Sequence, residues 1–205
     1  TDLCTPRIIV DDLLLYGKCP MLYFFKNYMG IEYSNMTLTG QLNAVLHSAC
    51  TSYLSNFSSP NCASIATRKF NSGMSSINED ASIRGNSKKK KTLDEYIHAY
   101  QAILERFMSE MYSIAPSNVV SPYTYSITIN HSECIGKIDA VMDSKQSPHK
   151  QLVYFDFGSS APSDSHMDYG ITTTINSLAY RTTNATDNYI LIHYWVPGNH
   201  YTRVD

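Results

Sequence analysis

Two aspartates carry the chemistry that this chain could perform. Asp139 lies in Gly136-Lys137-Ile138-Asp139-Ala140-Val141 and Asp156 in Leu152-Val153-Tyr154-Phe155-Asp156-Phe157. Each interrupts an otherwise apolar run with strand character. Burying one carboxylate without a partner is costly, and burying two together is worse unless a cation sits between them. A pair of carboxylates, completed by waters and a phosphate oxygen, is the usual way to hold Mg²⁺. Such an ion polarises a phosphoryl group and activates water. The plainer arrangement has one aspartate facing solvent and the other accepting from a backbone amide, and spacing alone slightly favours it.

The elements around them must decide. Helical periodicity appears first over about Val10 to Met29, but Pro20 is incompatible with an unbroken helix, so two pieces should meet at Lys18 to Pro20. A second helix is expected over Leu38 to Phe57, with Leu42, Val45, Leu46, Ala49, Cys50, Tyr53, Leu54 and Phe57 on one face and His47 at its edge. Residues 58–91 are rich in Ser and Asn and end in Lys88, Lys89, Lys90 and Lys91. They read as an insertion or mobile loop, with room for a short helix near Ala63 to Phe70. Thr92 and Glu95 form a capping-box signature ahead of a long apolar face from Leu93 to Met111.

The period then shifts to strands: Tyr123 to Ile129, Cys134 to Met142, and Gln151 to Phe157, the last two joined by a connection at 143–150. A helix over Met167 to Thr182 and a last strand, Tyr189 to Val196, complete the order. Strands joined by short loops pair antiparallel, and one reached through a helix can pair parallel. The fold class is therefore α/β (α+β): a mixed sheet flanked by helices in one domain over 1–205, with an N-terminal helical part at 1–57 and a core at 92–196.

Composition bounds the partners. With 205 residues the chain can bury a full core. Its net charge of −2 is unlike that of a protein that coats DNA, so nucleic-acid contact needs a local patch. Lys88 to Lys91, with Arg84 before them, are the obvious patch, against the plainer reading of a solvated loop. Five cysteines without a Cys-x-x-Cys argue against a disulfide framework or a zinc ribbon, and a reducing, intracellular (cytoplasmic) setting is expected. No apolar run is long enough to span a membrane, and no leader segment is evident. Cys50 reads as core, and His193 and His200 have no spacing typical of ligands.

Several motifs together resemble the RecB-like group of the PD-(D/E)XK nuclease superfamily. Gly136-Lys137-Ile138-Asp139 resembles its Gly-x-Ile-Asp strand, and Val153-Tyr154-Phe155-Asp156-Phe157-Gly158 its Asp-x-Lys strand, with glycine where the lysine stands. Asn176-Ser177-Leu178-Ala179-Tyr180 is similar to the Gln-x-x-x-Tyr helix, and Tyr16-Gly17-Lys18-Cys19-Pro20 to the Tyr-x-x-Cys-Pro opening helix. The resemblance covers about residues 10–196, leaving out 58–91. It implies an αβββαβ restriction-endonuclease-like core and a Mg²⁺ or Mn²⁺ site at Asp139 and Asp156, which His47 joins. It also implies DNA as partner, contacted by Asn176, Tyr180 and Arg181 beside the lysine run.

Two departures follow from the same comparison. Gly158 removes the lysine that orients the nucleophilic water, and losing such a group costs orders of magnitude in rate. Lys137 is the first substitute, two residues from Asp139 and so on the same strand face, with Arg181 the second. The iron–sulfur cluster of some relatives is not expected, because Cys19 resembles only its first ligand and no cysteine follows Cys134. The expected function is a degenerate or weakened nuclease that acts on or binds nucleic acid, conceivable as a subunit of a larger assembly. The alternative is an active Mg²⁺- or Mn²⁺-dependent DNA nuclease with a relocated basic residue.

Overall fold

The computed structural model describes residues 7–30, 37–77, 92–145, 147–155, 157, 170–185, 190–196 and 199–204. It begins with β1 (Arg7–Ile9), α1 (Val10–Lys18) and α2 (Pro20–Asn27). The break falls where proline requires it. Pro20 occupies the first turn of α2, where its missing N–H costs nothing, and Cys19 between the helices is extended. Every residue of α2 is at least partly exposed, including Met21, Leu22, Phe24 and Phe25.

Next come α3 (Leu38–Ser55), α4 (Cys62–Met74) and α5 (Leu93–Ile114). Thr37 caps α3 by accepting from the Gly40 amide, and Thr92 and Glu95 form the expected capping box on α5. The segment expected as an insertion is thus not all loop. Its first half is a thirteen-residue helix, because Ala66, Phe70 and Met74 recur at helical spacing and are buried. Gly73 lets α4 approach α3 closely, since a Cβ there would lie 2.6 Å from Val45 Cγ1. Lys88 to Lys91 lie outside the described residues.

The remaining elements are β2 (Pro116–Val120), β3 (Tyr123–Ile129), β4 (Ser132–Ile138), β5 (Ala140–Ser144), β6 (Ser147–Phe155), α6 (Ile171–Asn184), β7 (Ile190–Val196) and β8 (Asn199–Val204). They form two sheets, β1-β4-β3 and β2-β5-β6-β7-β8. The fold is mixed α+β, with helices against mixed sheets. β6 and β7, connected through α6, pair parallel, whereas β5–β6 and β7–β8 pair antiparallel.

The structure departs from the sequence reading in three places. The strand expected over Cys134 to Met142 is split at Asp139, and its halves belong to different sheets. The connection expected at 143–150 is shorter, because β5 and β6 run on to Ser144 and from Ser147. Strands β1, β2 and β8 were not anticipated. β1 and β2 are too short for a periodic signal, and β8 alternates weakly after Pro197-Gly198.

The five-stranded sheet separates two apolar cores. On one face Ala140, Met142, Val153, Phe157 and Trp195 pack against α3, α4 and α5. On the other, Val141, Leu152, Tyr154, Ile190 and Ile192 meet Ala179 and Tyr180 of α6 and the inner residues of the small sheet. The odd and even positions of β5, β6 and β7 divide between the cores as the pleat dictates.

Candidate metal and phosphate site

Asp139 sits alone between β4 and β5, where the chain leaves one sheet for the other. Its backbone is held there. The Ser121 hydroxyl donates to the Asp139 carbonyl at 2.7 Å, and the Ser55 hydroxyl of α3 lies 2.8 Å from the Ser121 carbonyl. The carboxylate turns inward and is 14% exposed. Oδ2 accepts from the Phe155 amide at 2.8 Å, and Oδ1 stands 2.8 Å from His47 Nε2.

His47 comes from the middle of α3 and is 36% exposed at its side chain. Its ring meets Phe155 edge-on at 5.4 Å between centroids. Thr51, one turn along α3, brings its hydroxyl to 3.5 Å from His47 Nδ1. A hydroxyl both donates and accepts, so Thr51 serves either tautomer of the ring. Three elements far apart in sequence therefore meet here: α3, the β4–β5 break and the end of β6.

A cleft of about 390 Å³ opens onto this pair. Besides His47 and Asp139 it is lined by Ser48, Thr51, Ser52 and Ser55 of α3, Asn56 at its C-cap, Lys69 of α4, Pro122 and Lys137 of β4. The α3 residues follow the i, i+3, i+4, i+7 spacing and make one hydroxyl-rich stripe. Behind the stripe lies Cys50, whose thiol burial pushes well above its usual range, with the Asp139 charge acting in the same direction.

The sequence-derived residues divide accordingly. His47, Asp139 and Lys137 are brought together. Asp156 and Gly158 lie outside the described residues, although Asp156 directly follows Phe155, whose amide touches Asp139. Among the described residues no three His, Cys, Asp or Glu side chains form a metal-holding group. The aspartate–amide bond anticipated as the plainer arrangement is present at Asp139, and the histidine is there as well.

Asn176 and Tyr180, expected to face nucleic acid, are buried, at 0% and 4% exposure. Asn176 Oδ1 accepts from the Tyr125 hydroxyl, and Tyr180 meets Tyr123 edge-on at 5.6 Å. They belong to the core between α6 and the small sheet, because α6 turns that face inward. Arg181, also on α6, does not line the cleft. Gly136 has a packing reason: a Cβ there would run into the ring and hydroxyl of Tyr125. Lys69 and the hydroxyl stripe went unnoticed in the sequence, where a lone lysine and scattered serines carry no periodic signal.

No helix among the described residues is long and apolar enough to cross a membrane. No family model and no curated protein matches this chain. Among solved structures it is similar to one described as the crystal structure of SSO0001, at 11% identity and a TM-score of 0.30, covering 95% of this chain and 76% of that one. At that TM-score the likeness carries no argument about fold or function.

Proposed function

We propose that the chain is a nuclease-fold protein of the RecB-like PD-(D/E)XK type that binds a divalent cation at His47 and Asp139 and acts weakly on nucleic acid. The observation that carries this reading is the 2.8 Å approach of His47 Nε2 to Asp139 Oδ1 inside a polar cleft. Two ligands of one octahedral ion, each about 2.1 Å from it, stand about 3.0 Å apart. The two atoms are spaced as neighbouring ligands of one ion would be, and a cation would take the place of the proton that now joins them. The pair's mixed imidazole and carboxylate character suits Mn²⁺ as well as Mg²⁺. Asp156, next in the chain after Phe155, is the proposed third ligand.

When bound, the cation supplies Lewis-acid polarisation of a phosphoryl oxygen and lowers the pKa of a bound water. The chain's own residues do the rest. Asp139 is kept in place beside the cleft by the Phe155 amide at one oxygen and by Ser121 at its backbone. Thr51 orients the His47 ring. Lys137 brings positive charge to the cleft and is the proposed substitute for the lysine that Gly158 replaces in the motif.

The test is Mn²⁺ titration with labelled single- and double-stranded DNA and RNA, beside Asp139→Ala. Metal-dependent cleavage in the wild type that is lost in the variant supports a nuclease. A second reading, a non-cleaving relative that keeps the fold as a subunit of a nucleic-acid-processing assembly, is favoured by one observation. Both Asp139 oxygens already have protein partners, which a purely structural role would require. Under it the wild type binds nucleic acid without cutting it.

A further inference from the structure

We infer that the cleft beside His47 and Asp139 is a backbone-reading track for a single nucleic-acid strand, with Lys69 and Lys137 as its phosphate-holding residues. This rests on the nucleic-acid reading above and deepens it. Lys69 and Lys137 come from two separate elements, α4 and β4, and line one cleft. Both are exposed, and neither makes a salt bridge with a described residue. Elsewhere Arg7, Lys26, Arg106 and Lys150 are each paired with a carboxylate, on Glu133, Asp12, Glu110 and Asp143. Two unpaired ammonium groups beside a single carboxylate give the cleft a local positive balance in a chain of net charge −2. A local patch of this kind attracts a polyanion to one place on a chain of slightly negative net charge.

The rest of the lining decides which part of the polyanion is read. Ser48 and Ser52, one helical turn apart, spend neither hydroxyl on another described residue, and Asn56 uses its amide N–H on the Ser52 carbonyl, leaving its oxygen. Hydroxyl and lysine donors are the usual partners of phosphate and sugar oxygens. Among the described lining residues there is no Phe, Tyr or Trp, and the one aromatic ring, His47, is taken up by Asp139 and Phe155, so these residues offer no broad stacking platform for bases. Recognition should then be of the backbone and indifferent to base identity. The volume of about 390 Å³ is that of a small-ligand pocket, room for roughly one nucleotide of a strand and not for a duplex, whose major groove alone is about 12 Å wide.

The test is fluorescence anisotropy of labelled oligo-dT, oligo-dA, oligo-rU and a blunt duplex, in buffer without divalent cation and across a salt series. Wild type is compared with Lys69→Ala, Lys137→Ala and the double variant. For single strands each phosphate contact contributes about 0.7 to the slope of log affinity against log salt, so each alanine should flatten the slope by about 0.7. The double variant should bind at least about tenfold more weakly at low salt, oligo-dT and oligo-dA alike, and Lys→Arg at either position should restore most of the binding. DNA and RNA arms distinguish the two sources of the same backbone chemistry. Binding by all variants with the wild-type slope overturns the track while leaving the nuclease reading intact. Tighter binding of the duplex than of single strands also overturns it. No binding by wild type to any strand, in this buffer or in a parallel series with Mn²⁺ added, overturns both.

Discussion

His47 Nε2 and Asp139 Oδ1 stand 2.8 Å apart although 92 positions separate them in the chain. α3 delivers the first and the β4–β5 break the second, and the Phe155 amide holds the far side of the carboxylate. A contact of this kind between a partly exposed imidazole and a nearly buried carboxylate, at the mouth of a polar cleft, concentrates the testable content of the molecule.

Asp139→Asn separates metal binding from folding. The asparagine keeps a side-chain carbonyl for the Phe155 amide, so thermal stability should fall by no more than about 1 kcal/mol. The charge that attracts a cation is gone, and Mn²⁺ affinity measured by titration calorimetry should drop more than about tenfold. Equal affinity in the variant would move the cation site elsewhere.

Gly158→Lys tests whether the missing lysine limits the proposed nuclease. Restoring a positive group at the position where the resembled family carries lysine should raise the single-turnover cleavage rate by about 10²-fold or more, with little change in DNA affinity. An unchanged rate, with Mn²⁺ binding retained, would mean that the lost lysine does not limit the reaction.

Gly136→Ala probes the junction behind the site. A Cβ at this position meets the Tyr125 ring, and Tyr125 bonds Asn176 of α6. Overpacking at such a place costs about 1–3 kcal/mol. Denaturant unfolding should show that cost in the wild-type background and a smaller one in Tyr125→Ala, since the two positions share one contact. Equal costs in both backgrounds would remove Tyr125 as the cause.

Stability should fall on acidification through a buried histidine. His193 is 3% exposed, held between Gln151 Oε1 at 2.9 Å and His200 Nε2 at 2.8 Å. Burial pushes its pKa down from 6.5 to about 4, and the neighbouring His200 acts in the same direction. The unfolded chain therefore binds a proton that the folded one refuses between these values. The stabilisation is complete above about pH 6.5 and is lost as pH falls toward 4, by up to about 3 kcal/mol. His200 is also lowered, chiefly by burial, with Glu110 opposing and Arg106 assisting, and adds to the same slope. Urea unfolding at a series of pH values should show a shallower slope for His193→Gln than for wild type. An identical slope would assign the acid sensitivity to other groups.

Much of this architecture was legible in the residues themselves. The capping box at Thr92, the proline break at Pro20 and the apolar stripe of α3 are local signals, set by hydrogen-bonding groups and side-chain spacing within a few residues. They determined where helices begin, break and turn their apolar faces. The alternation of Tyr123 to Ile129 and the helix before the last long strand likewise implied a mixed sheet. Only the tertiary structure decided that the strand through Asp139 divides between two sheets, because that depends on Ser121 and Phe155 capturing its backbone and carboxylate. Only the tertiary structure turned Asn176 and Tyr180 into the core, because the face that a helix buries depends on what packs against it. Lys69 beside Lys137 belongs to the same class. Each is an ordinary surface lysine in the sequence, and their shared cleft exists because α4 folds back on α3 where Gly73 allows the helices to meet.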